Sequence, residues 1–368
     1  MGVAVEPNPP GTDTLGRAIA LVASPLDRVR QLVWGLTART AWGRACVRDR
    51  GLRLATLAVG HMLVAFTLAL VLPLWLLLLG PLVLGAPHVV SDVRYLLLKP
   101  PVPLMRRGLL LILLPLVAMT AGRVIAAMGG PFSVELEVVF GGLAMLGGAV
   151  AVRAPIVWRL VVALGVVALS SVALISAYTS LVVIAHAHNL VAFGLWLFFL
   201  KGEVSRRALA VVLAVYLLCS AILLSPLTEG LALTHATGNL GAFNLVNMAD
   251  ALAPGLSLEL GLRLVLLYGF LQSMHYAIWL RLIPQRLDAR RAPPTFRRSL
   301  SRLREDFGGR AFILIALVCL AVPVFALTTD AEATRHAYLL AAVSHGYIEL
   351  AIIAALLAHR ARKAEAPL

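Results

Sequence analysis

A chain of 368 residues that is 60% hydrophobic and only 14% charged falls far below the ~25% charge of an ordinary soluble domain. Its apolar residues come in long blocks, and its net charge of +14 sits in short Arg clusters between them, which excludes a nucleic-acid surface and describes loops facing anionic lipid. Its three cysteines, Cys46, Cys219 and Cys319, form no CxxC pair, so neither a disulfide framework nor a thiolate metal site is expected.

Residues 1 to about 13 are polar and proline-rich and read as disordered, with no cleavable signal peptide. From Leu15 to about Arg50, Leu, Val and Trp mix with Arg at irregular helical spacing, as in an amphipathic segment on the cytoplasmic membrane surface. Ten apolar spans follow: 54–75, 80–98, 108–128, 134–152, 155–176, 179–200, 206–225, 259–283, 311–328 and 336–358. Breakers mark their limits at Gly80-Pro81, Pro100-Pro101, Gly129-Gly130-Pro131, Pro155, Pro226 and Pro284.

Alternate loops carry the cations. Lys99, Arg106, Arg107, Arg153, Arg159, Lys201, Arg206, Arg207, the Arg-rich loop 284–310 and the tail residues Arg360, Arg362 and Lys363 belong on one side. The intervening loops, near 129–135, 177, 226–258 and 329–335, are poor in Lys and Arg. The positive-inside rule then requires an even count of spans with both termini cytoplasmic, and it requires 54–98 to be two spans so that Arg53 and Lys99 share a side. The expected fold is an all-α, polytopic integral membrane bundle of about ten transmembrane helices. The bundle occupies 54–358, between a cytoplasmic N-terminal segment, 1–53, and a short tail, 359–368. Segment 226–258 is too apolar for a plain loop and too rich in Gly and Asn for a span, so it reads as an outer-face lid or a re-entrant piece. No internal repeat is evident.

Of nine histidines, His235, His336 and His359 fall at loops or span ends. His61, His88, His186, His188, His275 and His345 fall within spans, where ionisable groups are costly and usually functional. At about 1.5 Å per residue, His88, His186, His188 and His345 each lie roughly 12–15 Å from the outer end of their span, which puts them in one layer near the midplane. His275 lies deeper by the same count. Imidazoles from separate helices in low dielectric are what a metal ion or haem requires.

Asp92 and Glu349 each follow a histidine by four residues, on the same helix face, where a carboxylate can orient an imidazole or ligate. His186 and His188 point roughly 200° apart, so one of them, with His188 favoured, is the expected ligand. Asn189 follows His188 directly, and Gln272 shares the face of His275; both are candidate cofactor-site groups. His61 has no acidic partner at helical spacing and reads as structural. Soft ligands are lacking, which disfavours copper(I) and iron–sulfur clusters, while imidazole with carboxylate suits non-haem iron, zinc or manganese. Bis-histidine haem b remains a rival, and so does a transporter that moves protons or metal ions along a His/Asp/Glu layer.

At these residues the chain resembles the Brp/Blh family, bacterial membrane β-carotene dioxygenases that form retinal. GAPHVVSD (85–92) resembles its G-x-P-H-x-x-x-D motif, and AHAHNLVAF (185–193) its second histidine motif. SMHYAIW (273–279) is similar to its I-H-x-x-x-H-F-x-x-W segment, and SHGYIEL (344–350) to its late P-H-x-x-x-x-D/E segment. The order is the same, but Trp279 stands where the third motif has a second histidine, the spans are more numerous and the gap between the first two motifs is longer. The resemblance implies Fe(II) held by His88, His188, His275 and His345, with O2 as co-substrate. It implies a carotenoid or related isoprenoid entering from the lipids of a bacterial inner (plasma) membrane.

Overall fold

The computed structural model describes residues 14–200, 203–228, 230, 231, 234, 239, 240, 243–287 and 294–364. The expected disorder of residues 1 to 13 and the loop position of His235 lie outside them. The described chain is an α-helical bundle with one two-residue hairpin, Asn239–Leu240 against Phe243–Asn244. Two helices precede the apolar blocks: α1 (Thr14–Thr37) and α2 (Ala41–Arg48). Then come α3 (Arg50–Val71), α4 (Pro73–Leu98), α5 (Arg106–Ala127), α6 (Val134–Val150), α7 (Ile156–Ile175), α8 (Ala177–Leu200) and α9 (Arg206–Leu224). The short α10 (Leu245–Leu252) is followed by α11 (Leu258–Ala277), which runs on through Ile278–Leu282 and Ile283–Leu287. Last are α12 (Phe296–Phe307), α13 (Gly309–Thr328) and α14 (Ala331–Ala364).

Each expected span corresponds to one of these helices. The break that divides 54–98 falls at Leu72, where Pro73 opens the next helix at a position that needs no N–H partner. Side-chain caps open many of the others. Asp49, Ser133, Ser205, Ser257, Thr295 and Asp330 each accept from a backbone N–H in the first turn.

Among the described residues, eight helices are long and apolar enough to cross a membrane: α3, α4, α5, α7, α8, α9, α13 and α14. Two expected spans fall short by that measure, for different reasons. Helix α6 has 17 residues. Helix α11 carries Glu259, Arg263, Gln272, Ser273 and His275, which lower its hydropathy, yet it is the most enclosed element, with Leu262, Val265, Phe270 and Trp279 fully buried.

The packing follows from small residues and lipid-facing apolar ones. Helix α6 presents Gly147 to the backbone of α5 at Leu111, and Gly148 to the backbone of α14 at Ala351, so close that a Cβ would overlap either chain. Such small-residue faces are how helices associate without a hydrophobic drive between them. Helices α7 and α13 bury few residues and turn Leu164, Val172, Leu314 and Leu320 outward, more than half exposed, as lipid-facing helices do. Helix α1 is likewise apolar on its open side, at Leu21, Leu32 and Val33. It is tied to α12 by Asp27, whose carboxylate accepts from the N–H groups of Phe296 and Arg297. The described residues of segment 226–258 form neither a plain loop nor a span. Its Leu245, Met248 and Ala249 are buried, and α10 packs on the first turns of α11, where Gly261 faces Ala249.

Candidate metal centre

The site begins with irregular helices. Residues Gly80–Gly85 and Val93–Leu98 of α4, and Ile278–Leu282 after α11, are π-helical turns, a form that collects at functional sites. Proline accounts for part of this. Pro81 has no N–H to offer the Leu77 carbonyl four residues back, and Arg335 of α14 donates to that carbonyl at 3.0 Å. In the third turn, the Ile283 N–H reaches back to Ile278, and Pro284 has no N–H to give. The Trp279 carbonyl is therefore free to accept from Ser91 of α4 at 2.6 Å. These two cross-links fasten α4 to α14 and to α11 on either side of His88.

Between the fastenings, His88, Asp92, His275 and His345 converge. Each offers one ligand atom, and these atoms all lie within 4.8 Å of one another. His88 Nε2 and His345 Nε2 are 3.2 Å apart, and the His88 and His275 ring centres are 5.2 Å apart. His188 of α8 stands against the group, 5.1 Å from the His275 ring and 5.5 Å from the His345 ring. Three helices thus contribute imidazoles to one point, and a fourth, α8, places His188 beside it. The four members of the tight group are buried, and Asp92 is 0% exposed with no hydrogen-bond partner for either carboxylate oxygen among the described residues. An ionised carboxylate there, unpaired, is expensive, since even a neutral orphaned acceptor costs about 1–3 kcal/mol. A divalent cation would remove that cost, so the donor set fits a metal ion on charge as well as on geometry.

Several expectations need correction. His275 is no deeper than the others. The first turns of α11 lie beneath α10 rather than at an open helix end, so counting residues from 259 overstates its depth. Glu349 does not serve His345. Its Oε1 accepts from Trp279 Nε1 at 2.8 Å and lies 3.5 Å from His275 Nε2, because a four-residue step on α14 turns it toward α11. His345 instead has Nδ1 at the Ala342 carbonyl. Gln272 does not reach His275 and donates to the Tyr268 hydroxyl at 3.3 Å. His186 leaves the cluster, with its Nδ1 at the Val182 carbonyl and its ring 5.3 Å from Tyr268. The departure is the one its spacing from His188 dictates. Asn189 is buried beside His188, with its amide on Ala185 and its Oδ1 unpartnered.

The cluster also draws in Tyr276, which sequence reasoning passed over and whose ring lies 4.6 Å from His88, while Trp279 is fully buried and donates to Glu349. No local pattern marks an aromatic residue as a neighbour of a site formed by distant helices.

A cavity of about 390 Å3 opens onto His88, His188, His275 and His345. Apolar side chains such as Leu181, Ile184, Leu339 and Val343 line it, and Leu252 of α10 contributes. That size and lining belong to small-molecule sites. A larger cavity of about 690 Å3 lies against α12 and α13, with Arg94, Lys99 and Asp306 among its walls, and contains none of the histidines. The fold and the cluster together define a multi-pass helical membrane protein with a buried His/Asp group able to hold a metal ion. Comparisons with family models, with curated proteins and with solved structures gave no match.

Proposed function

We propose that the chain is an intramembrane, non-haem Fe(II) oxygenase that cleaves a conjugated double bond of a lipophilic isoprenoid, β-carotene to retinal being the type reaction. The observation that carries this reading is the convergence of His88, His275, His345 and Asp92 within 4.8 Å at the wall of an apolar cavity. His88, His275, His345 and Asp92 hold the ion, with His188 beside them. Trp279 holds Glu349, whose Oε1 stands 3.5 Å from His275 Nε2. The iron supplies activation of O2. Addition of both oxygen atoms of O2 across a broken C=C bond gives two carbonyl products and needs no outside reductant. The apolar walls at Leu181, Ile184 and Val343 keep water from the reacting chain.

The crowding of four rings favours this reading over haem b. A porphyrin must pass between two axial imidazoles, and His188 and His275 fill the space beside the His88–His345 pair. A polyene dissolves in the bilayer, so its site belongs where these helices put it. In this reading α6 and α11 also cross the membrane, which gives ten spans of a bacterial inner-membrane protein with both termini cytoplasmic.

The test is expression in a β-carotene-producing bacterium, with iron per protein, pigment bleaching and retinal measured together. Alanine at His88, His275 or His345 should abolish both iron and retinal, alanine at His188 should weaken both, and alanine at His186 should spare iron. Iron without retinal would reject the carotenoid, and full iron in all the cluster variants would reject the centre. Ion flux in proteoliposomes without any product would favour a transporter.

A further inference from the structure

The cavity has a second polar end. On the side of α14 away from His345, Tyr347 lays its ring over Gly141 of α6, where a Cβ would collide with it. One turn earlier on α6 stands Glu137, paired with Arg123 of α5. Tyr347, Glu137 and Arg123 all line the same cavity as the histidines. Gly346 lines the cavity between the two ends and faces His188. Glu137 is buried. Tyr347 is 3% exposed, and its hydroxyl has no hydrogen-bond partner among the described residues. Arg123 and Glu137 lie in the last and first turns of α5 and α6, and with the orphaned phenol they give this end of the cavity its polarity.

From these residues we infer that this end binds the neutral oxygenated terminus, a hydroxyl or a carbonyl, of the lipophilic substrate whose unsaturated chain reaches the histidine cluster. The chemistry selects against the alternatives. A carboxylate would meet Glu137, and an ammonium would meet Arg123, whereas the pair as a whole carries no net charge. A hydroxyl donates to Glu137 while accepting from Tyr347, and a carbonyl accepts from Arg123 or Tyr347. A pure hydrocarbon would leave the Tyr347 hydroxyl orphaned and so binds less well. The preferred substrate is therefore an oxygenated polyene rather than its parent hydrocarbon. This specificity rests on the cavity being the substrate site of the oxygenase proposed above.

Purified full-length protein is incubated in detergent with an equimolar mixture of β-carotene and its terminal mono-alcohol, and the pigments retained are quantified alongside iron. One hydrogen bond of ordinary strength predicts about 5- to 10-fold preferential retention of the alcohol. Tyr347→Phe should bring the ratio close to one with iron unchanged. The double variant Arg123→Met with Glu137→Leu, which removes the buried pair as a unit and so avoids stranding one charge, should do the same. Equal retention by the parent, or a preference that survives in both variants, overturns the inference. A parent that prefers the alcohol, with the preference lost in the variants, but holds no iron supports this subsite and refutes the oxygenase. A parent with iron but no preference does the reverse.

Discussion

Asp92→Asn separates a metal-holding carboxylate from a structural one. In the metal-free protein the substitution replaces a fully buried carboxyl group that has no hydrogen-bond partner among the described residues. An amide of the same shape leaves polar atoms in the same place, so the apoprotein should keep its stability to within about 1 kcal/mol. With metal present the variant falls behind. Removing a group that holds or supports a metal costs about 10–100-fold in affinity. At a metal concentration of 100 times the parent Kd, binding stabilises the parent by about 2.7 kcal/mol; a 100-fold weaker variant keeps only about 0.4 kcal/mol, a loss of about 2.3 kcal/mol. Thermal unfolding in detergent, with and without added Fe(II) or the air-stable surrogate Zn(II), reads both halves. The variant should melt close to the parent without metal and several degrees below it with metal. A variant destabilised equally in both conditions would show that Asp92 is a packing residue and that the cluster's charge has been misread.

Other outcomes follow from local geometry. Gly148→Ala drives a Cβ into the α14 backbone at Ala351 and should destabilise the protein by about 1–3 kcal/mol, whereas Gly165→Ala meets nothing within 4 Å and should stabilise slightly in the same melt. Burial pushes the Asp306 carboxyl up, but Lys99 at 2.7 Å and Arg94 at 2.6 Å outweigh it and hold it below the usual carboxylate range. Its contribution is thus complete above about pH 4 and lost as pH falls through the lowered value. Hydrogen exchange in 296–307 should rise on acidification below that point, and Asp306→Asn should abolish the pH step. For topology, a cysteine at Thr295 in a background without the three native cysteines should resist an impermeant thiol reagent in intact cells, while one at Leu227, 85% exposed, should react. Labelling at 295 in intact cells would overturn the cytoplasmic assignment of that loop.

Helix positions were legible because membrane spans leave blunt signals. Pro226 and the Gly129-Gly130-Pro131 run end apolar blocks where expected, and Arg clusters sort the loops between them, whereas Gly80-Pro81, read as a break, lies in a π-helical turn within α4 and the break falls at Leu72-Pro73. The histidines were legible for the same reason, since a buried imidazole in a span stands out against Leu and Val. What the sequence hid is phase. The π-helical turns around His88 and after His275 shift the facing of everything beyond them; on the regular helix α14 the i to i+4 rule pairs Glu349 with His345, but the packing of α11 gives it to Trp279 and His275. The polar end of the cavity was hidden too. Glu137 looks like a first-turn acid stabilising a helix N-terminus, and only the approach of α14 over Gly141 makes it part of a binding wall.

His345, Gly346, Tyr347 and Glu349 all lie on α14, and His345 meets His88 across 257 residues of chain. The ribosome therefore finishes the first partner long before the last. During membrane insertion the N-terminal two-thirds can assemble its helices, yet His88, His188 and His275 stay unable to close on an ion until the final helix enters. A truncated or stalled product would lack His345 and Glu349 together. In the oxygenase proposed above, completion of the last helix would thereby be the condition for loading the ion.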